Sequence, residues 1–292
     1  MSFLDRRRST ALRCALKARF QIIDLGRSSI YRISHIHTLL VKQASVIRAY
    51  LDESAISAAL PANYWRVRVL EEVGSTQDKL KNELVSNGDC VIAEYQSAGR
   101  GRLDRKFESA PNVALLFSFY IEPTRSAQWG WIPLIAGAAI ARTLNEATQS
   151  QNFKTKWPND VICETGKVSG VLCERYGKGI IVGIGINVST QVHELPVPTA
   201  SSIFIDSGVE LDRNLLLPSL LTNFDDLLRR WEAGVDLRPN YRSLSQTIGS
   251  SVEVSLPDSA KIRGRAIGVD EEGRLQLDNG DLISVGDVLH LR

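Results

Sequence analysis

With 292 residues, the chain is long enough for one substantial core and a smaller module. Its 43% hydrophobic and 23% charged content is that of a folded globular protein, and 35 basic against 33 acidic side chains leave a net charge of +2, so the overall balance points to neither nucleic acid nor membrane. No apolar run is long enough to span a membrane. Cys14, Cys90, Cys163 and Cys173 show neither metal-ligand spacing nor a disulfide framework, which reads as buried free thiols in a reducing cytoplasm.

The first fifty residues differ from the rest, with ten Lys or Arg against only Asp5 and Asp24. Residues 1–50 read as a basic extension, with an organelle-targeting presequence and a DNA-binding arm as alternatives. No compact three-helix set with an interpretable turn can be placed in them. A short helix is predicted from Asp52 to Leu60, ending at Pro61-Ala62-Asn63, and Arg66 to Leu70 alternates as a strand. Ser75 or Thr76 caps a helix predicted to run through Leu80, Leu84 and Val85. The plain reading of these two residues is a cap. Outward N–H donors at a helix start also suit a polar ligand ring.

Cys90 to Tyr95 and Val113 to Tyr120 read as buried strands, and between them lies the loop Gly99-Arg100-Gly101-Arg102-Leu103-Asp104-Arg105-Lys106-Phe107. Two glycines let its backbone approach a ligand, and arginine offers a planar fork of donors for carboxylate or phosphate oxygens. A solvated basic turn is the bland alternative. Trp131 to Ala147 reads as a helix with a small-residue face, its tryptophans packing rather than binding. Phe153 to Trp157 is a strand broken by Pro158, and Asn159-Asp160 follow. Glu164-Thr165-Gly166 turns into a strand from Lys167 to Tyr176, which is followed by another from Gly179 to Val188. Residues 189–203 are irregular. Asp212 caps a helix with apolar positions from Leu217 to Trp231, in which Pro218 is expected to make a kink or mark a later start. Short alternating strands then run from Ile248 to the end, with Asn279-Gly280 as a hairpin signal. Successive hairpins argue for an α+β fold, with a mixed or mainly antiparallel sheet packed against helices.

Five motifs in order carry a resemblance: Gly74-Ser75-Thr76-Gln77, Gly99 to Arg102, Lys156-Trp157-Pro158-Asn159-Asp160, Lys167-Val168-Ser169-Gly170, and Gly183-Ile184-Gly185-Ile186-Asn187. From about Leu51 to Arg292 the chain resembles the biotin–protein ligases. The resemblance implies a class II aminoacyl-tRNA synthetase-like core over residues 51–246 and a small SH3-like β barrel over residues 247–292. It also implies formation of biotinyl-5′-AMP from biotin and ATP with Mg²⁺. Transfer then follows to a lysine of the biotin carboxyl carrier domain of a biotin-dependent carboxylase.

Carried over residue by residue, the resemblance makes Arg100 and Lys167 catalytic. Biotin would meet Ser75, Thr76, Gln77, Gln96, Arg100, Gly101, Arg102, Lys167 and Gly170. The adenylate would meet Arg102, Phe107, Asn159, Asp160 and Asn187, with Asp160 a candidate for the metal. Lys167 alone reads equally well as a solvated hairpin residue, and Asn159-Asp160 as turn chemistry. Three departures stand out: Gln77 replaces Asn, Phe107 replaces a Trp that stacks on adenine, and Leu103-Asp104 replaces an Arg-Gly. A lipoate–protein ligase is the rival within the fold type. A nucleic-acid-binding regulator using the basic N-terminus is the rival from another class. Dimerisation and the identity of the carboxylase are left open.

Overall fold

In the computed structural model the described residues are 48–61, 64–103 and 105–291. The basic segment 1–50, with its targeting and DNA-binding alternatives, lies outside them apart from Arg48, Ala49 and Tyr50. Residues Arg48 to Arg292 form one compact unit.

Its main layer is a seven-stranded sheet: β1 (Arg66–Val73), β2 (Asp89–Gln96), β3 (Ala114–Ile121), β4 (Lys154–Lys156), β5 (Asp160–Cys163), β6 (Gly166–Tyr176) and β7 (Gly179–Asn187), in the order β1-β2-β3-β7-β6-β5-β4. Only β1 and β2 pair in parallel; the other neighbours are antiparallel, so the sheet is mixed. Every residue of β3 and β7 is buried, as befits central strands covered on both faces.

Alternation along these two strands decides what each face does. Leu115, Phe117, Phe119 and Ile121 of β3, with Val182, Ile184 and Ile186 of β7, join the main core with helices α3 (Trp131–Thr148) and α5 (Arg213–Glu232). The intervening positions, among them Ser118, Gly183 and Gly185, face the other side, where α2 (Thr76–Lys81) and the arginine loop lie. The short helix α1 (Glu53–Ala59) starts at Asp52, whose carboxylate caps the Ala55 N–H.

Two helix expectations are corrected. Helix α2 stops at Lys81, and Leu84 is fully exposed. The Lys81 carbonyl, which the next turn would have used, instead accepts from the Tyr176 hydroxyl at 2.8 Å. Helix α5 begins at Arg213 directly after its Asp212 cap and runs through Pro218, so the proline does not mark a later start.

After the short helices α4 (Ile203–Ser207) and α6 (Arg238–Leu244), a second, antiparallel sheet follows. Strands β8 (Ser251–Ser255), β9 (Lys261–Val269), β10 (Leu275–Leu277), β11 (Leu282–Ile283) and β12 (Asp287–His290) take the order β11-β10-β9-β8-β12, consistent with a small SH3-like barrel. Buried Trp157 ties the two sheets together, donating its indole N–H to the Gly273 carbonyl at 3.1 Å. Cys90, Cys163 and Cys173 are free, and burial pushes the Cys173 thiol up to about 12, leaving it an inert packing group. Among the described residues no helix is long and apolar enough to cross a membrane.

Candidate active site

A cavity of about 120 Å³ opens on the sheet face opposite α3 and α5. Its wall near α2 is a polar lattice. The Ser75 hydroxyl caps the Asp78 N–H, and Thr76 donates its backbone N–H to Gln96 Oε1 at 2.7 Å. The Thr76 hydroxyl lies 2.7 Å from that of Ser118. Gln77 is buried and already partnered: its Oε1 accepts from Ser118, and its amide donates to Glu174 Oε2 at 2.9 Å and to the Ile181 carbonyl at 3.3 Å. Gly183 makes that reach possible, because a Cβ there would stand 2.3 Å from Gln77 Oε1. The longer amide thus lines the cavity while reaching toward β6 and β7.

The arginine loop folds back on itself. Gly101 donates its N–H to the Arg105 carbonyl at 2.7 Å, and Phe107 donates to the Gly99 carbonyl at 3.0 Å. A Cβ on Gly99 would lie 2.2 Å from the Phe107 carbonyl, so this glycine serves the closure of the loop rather than the approach of a ligand. The Phe107 ring rests on β7 over Gly185, where an added Cβ would meet it at 2.5 Å and the ring would have to move. At the exposed tip, Leu103 takes a φ of 54°, in the left-handed region that favours glycine.

Four of the cations that line the cavity, Arg100, Arg102, Arg105 and Lys167, have partners in the protein. Arg100 pairs with Asp78 at 2.6 Å and with Glu174 at 3.1 Å. Arg102 donates to Asn159 Oδ1 at 2.9 Å, and burial lowers its guanidinium pKa against the pull of Asp287 and Asp160. Arg105 pairs with Asp287, which brings the start of β12 against the loop. Lys167 lies 2.7 Å from Asp160 Oδ1, and a Cβ on Gly170 would crowd its ammonium at 3.2 Å. Lys167 is held at its backbone by the loop after β7, through Thr199 O at 2.9 Å and the Ser201 N–H at 2.7 Å. Burial alone would raise the Glu174 carboxyl, but Lys81, Gln77 and Arg100 outweigh it and hold it below the usual range.

Of the residues singled out in the sequence, Ser75, Thr76, Gln77, Gln96, Arg100, Gly101, Arg102, Phe107, Asn159, Asp160, Lys167 and Gly170 all line this cavity. Asn187 does not. It is buried at the end of β7, where its amide donates to the Ser201 carbonyl at 2.8 Å, holding the following loop. Sequence reasoning missed Ser118, Arg105, Glu174 and Asp287. Ser118 had a faint signal, being a polar residue in the otherwise apolar β3; Glu174 and Asp287 had none, the first lying among other polar residues of β6 and the second brought close only by the packing of the second sheet.

Among the described residues, no cluster of three or more His, Cys, Asp or Glu forms a dedicated metal cage. Of the two carboxylates that line the cavity, Asp287 is paired with Arg105 and Asp160 stands beside Lys167, so the described residues offer a divalent cation one or two oxygen ligands at most.

Fold and site together define a protein ligase of the biotin/lipoate type. The model for the biotin/lipoate A/B protein ligase family matches residues 69–191, and that for the biotin protein ligase C terminal domain matches residues 247–291. The biotin–[acetyl-CoA-carboxylase] ligase of Mycobacterium tuberculosis is 35% identical over 264 residues, covering 84% of this chain and 98% of that protein. The bifunctional ligase/repressor BirA of Escherichia coli is 31% identical over 241 residues, covering 77% of this chain and 74% of BirA. Among solved structures, the biotin protein ligase from Aquifex aeolicus in complex with biotin and ATP matches with a TM-score of 0.69 at 32% identity, covering 77% of this chain and 98% of that one. The chain belongs to the biotin–protein ligase family.

Proposed function

We propose that the chain uses ATP to activate biotin as biotinyl-5′-AMP and passes the acyl group to a lysine of a biotin carboxyl carrier domain. The observation that carries this reading is the convergence of Arg100, Arg102 and Lys167 on one cavity whose inner wall offers the Ser75, Thr76 and Gln96 polar groups.

Activation brings two anions together: an oxygen of the biotin carboxylate attacks the α-phosphorus of ATP, and pyrophosphate leaves. Repulsion between them is the first barrier and alignment the second. Alignment alone supplies about 7–11 kcal/mol in well-ordered sites. Arg102 and Lys167 line the cavity in which that charge would develop, and donors aimed at developing charge in a site closed to water supply much of an enzyme's rate enhancement. Arg102 now rests on the Asn159 amide oxygen and Lys167 in an ion pair with Asp160, so binding exchanges a protein partner for the ligand at each cation. As Lys167 turns to the bridging oxygen, Asp160 is released, and it is the residue that would hold Mg²⁺. The metal, when bound, screens phosphate charge.

In the second step the carrier lysine's amine attacks the acyl carbonyl and AMP leaves. The nucleophile belongs to the acceptor, so this chain need supply none. Phe107 offers an aromatic face inside the cavity. Free cysteines agree with a cytoplasmic setting.

A thermal-shift comparison separates biotin from lipoate. Biotin with ATP should raise the melting temperature through ligand linkage while lipoate leaves it unchanged; the reverse order would transfer the assignment to lipoate.

A further inference from the structure

Alternation along β6 places Gly170, Leu172 and Glu174 on one face. The first two line the cavity, and the third stands just beyond its edge. Glu174 gathers donors from two separate segments on its two oxygens. Oε1 accepts from Arg100 Nη2 at 3.1 Å; Oε2 accepts from Gln77 Nε2 at 2.9 Å and Lys81 Nζ at 2.8 Å, with Arg100 Nη1 at 3.3 Å. Resting on the ligase reading above, we propose that Glu174 is a positioning residue for biotin: by holding Arg100, Gln77 and Lys81 on one carboxylate, it sets the near arm of the arginine loop against α2 before substrate arrives.

Two observations favour Glu174 over Asp78 as the anchor of Arg100. The Asp78 side chain is 46% exposed and that of Glu174 24%, and ion pairs open to solvent contribute little. Asp78 also takes Arg100 alone, whereas Glu174 joins it to buried Gln77. Gln77 in turn has little freedom, since its oxygen lies over Gly183 and accepts from Ser118. A neutral amide in place of Glu174 would leave the Lys81 and Arg100 cations without their shared anion. The arm from Gly99 to Arg102 would then keep its turn bonds, the exposed Arg100–Asp78 pair and the Arg102–Asn159 bond, but lose its tie to buried Gln77 and to Lys81.

The test uses the full chain and the variant Glu174→Gln. Without any substrate, trypsin should cut after Arg100, Arg102, Arg105 or Lys106 about five times faster in the variant, because opening of the loop exposes those bonds. In steady state with a carrier domain, the KM for biotin should rise about tenfold while the KM for ATP and kcat change less than about threefold, the pattern of lost ground-state positioning. The double variant Glu174→Gln/Arg100→Gln should have a biotin KM no worse than Arg100→Gln alone, because the first residue acts through the second.

Equal cleavage and an unchanged biotin KM would overturn the proposal, as would effects of the two substitutions that multiply. If Glu174→Gln melts much earlier than the parent, Glu174→Asp serves instead. A shorter carboxylate in a folded chain should recover part of the protection and of the biotin affinity, and recovery of neither would also overturn the proposal. Faster cleavage in a chain that forms no biotinyl-lysine would sink the ligase reading while supporting the anchoring of the loop. Normal biotinylation with unaltered cleavage and KM would sink the anchoring alone.

Discussion

Replacing Lys167 by Met should lower biotin-dependent exchange of pyrophosphate into ATP by about 10²- to 10³-fold, the usual loss when one fixed donor to developing charge is removed. Methionine keeps the apolar stem and removes only the ammonium. The resting partner of Lys167 is Asp160 at 2.7 Å, with side chains 42% and 22% exposed, so this half-open pair contributes about 1 kcal/mol to folding. The melting temperature should therefore stay close to that of the parent, and the loss should fall on kcat/KM. An exchange rate within a few-fold of the parent would show that Lys167 is only a hairpin residue whose ammonium happens to point inward.

Arg102→Gly should act on a different step. Arg102 bridges the two sheets, donating to Asn159 at 2.9 Å and reaching the Gly286 carbonyl at 3.5 Å, beside the cavity that would hold the adenylate. Hydrogen bonds to a charged group contribute about 1.5–3 kcal/mol, so the adenylate should leave roughly 10 to 100 times faster. Activation should remain detectable, and escaped biotinyl-5′-AMP should label bystander lysines of an added protein such as serum albumin. Mass spectrometry of that protein gives the readout. No labelling above the parent level would mean that the loop does not retain the intermediate.

Much of this site was legible because its motifs are local. Gly99 to Phe107 forms one loop between two apolar strands, and Lys167 to Gly170 opens a strand after a marked turn, so the strand pattern placed them on the sheet, while only the resemblance put them in one site. What sequence could not give was partnership. Gln77 lines the cavity as expected of it, but its partners on β6 and β7, which Gly183 leaves room for, were not legible in the sequence. Gly99 looked like a place for a ligand and instead accommodates the carbonyl of Phe107. Asn187 carried the right residue type at the end of the right strand, on the same face as Gly183 and Gly185, but the loop beyond the strand takes up its amide at the Ser201 carbonyl. The length of α2 was misjudged for a similar reason: a tyrosine from a distant strand takes the carbonyl that the next turn needed. In each case a contact between residues far apart in sequence outweighed a local preference.

The reading of the whole chain is tested most directly by intact-mass measurement of a biotin carboxyl carrier domain after incubation with this protein, ATP, Mg²⁺ and equal amounts of biotin and lipoate. The mass should rise by a single biotinyl group, and the rise should vanish when ATP is omitted or the acceptor lysine is changed to arginine. A lipoyl increment, or an unmodified carrier in the presence of every reactant, would contradict it.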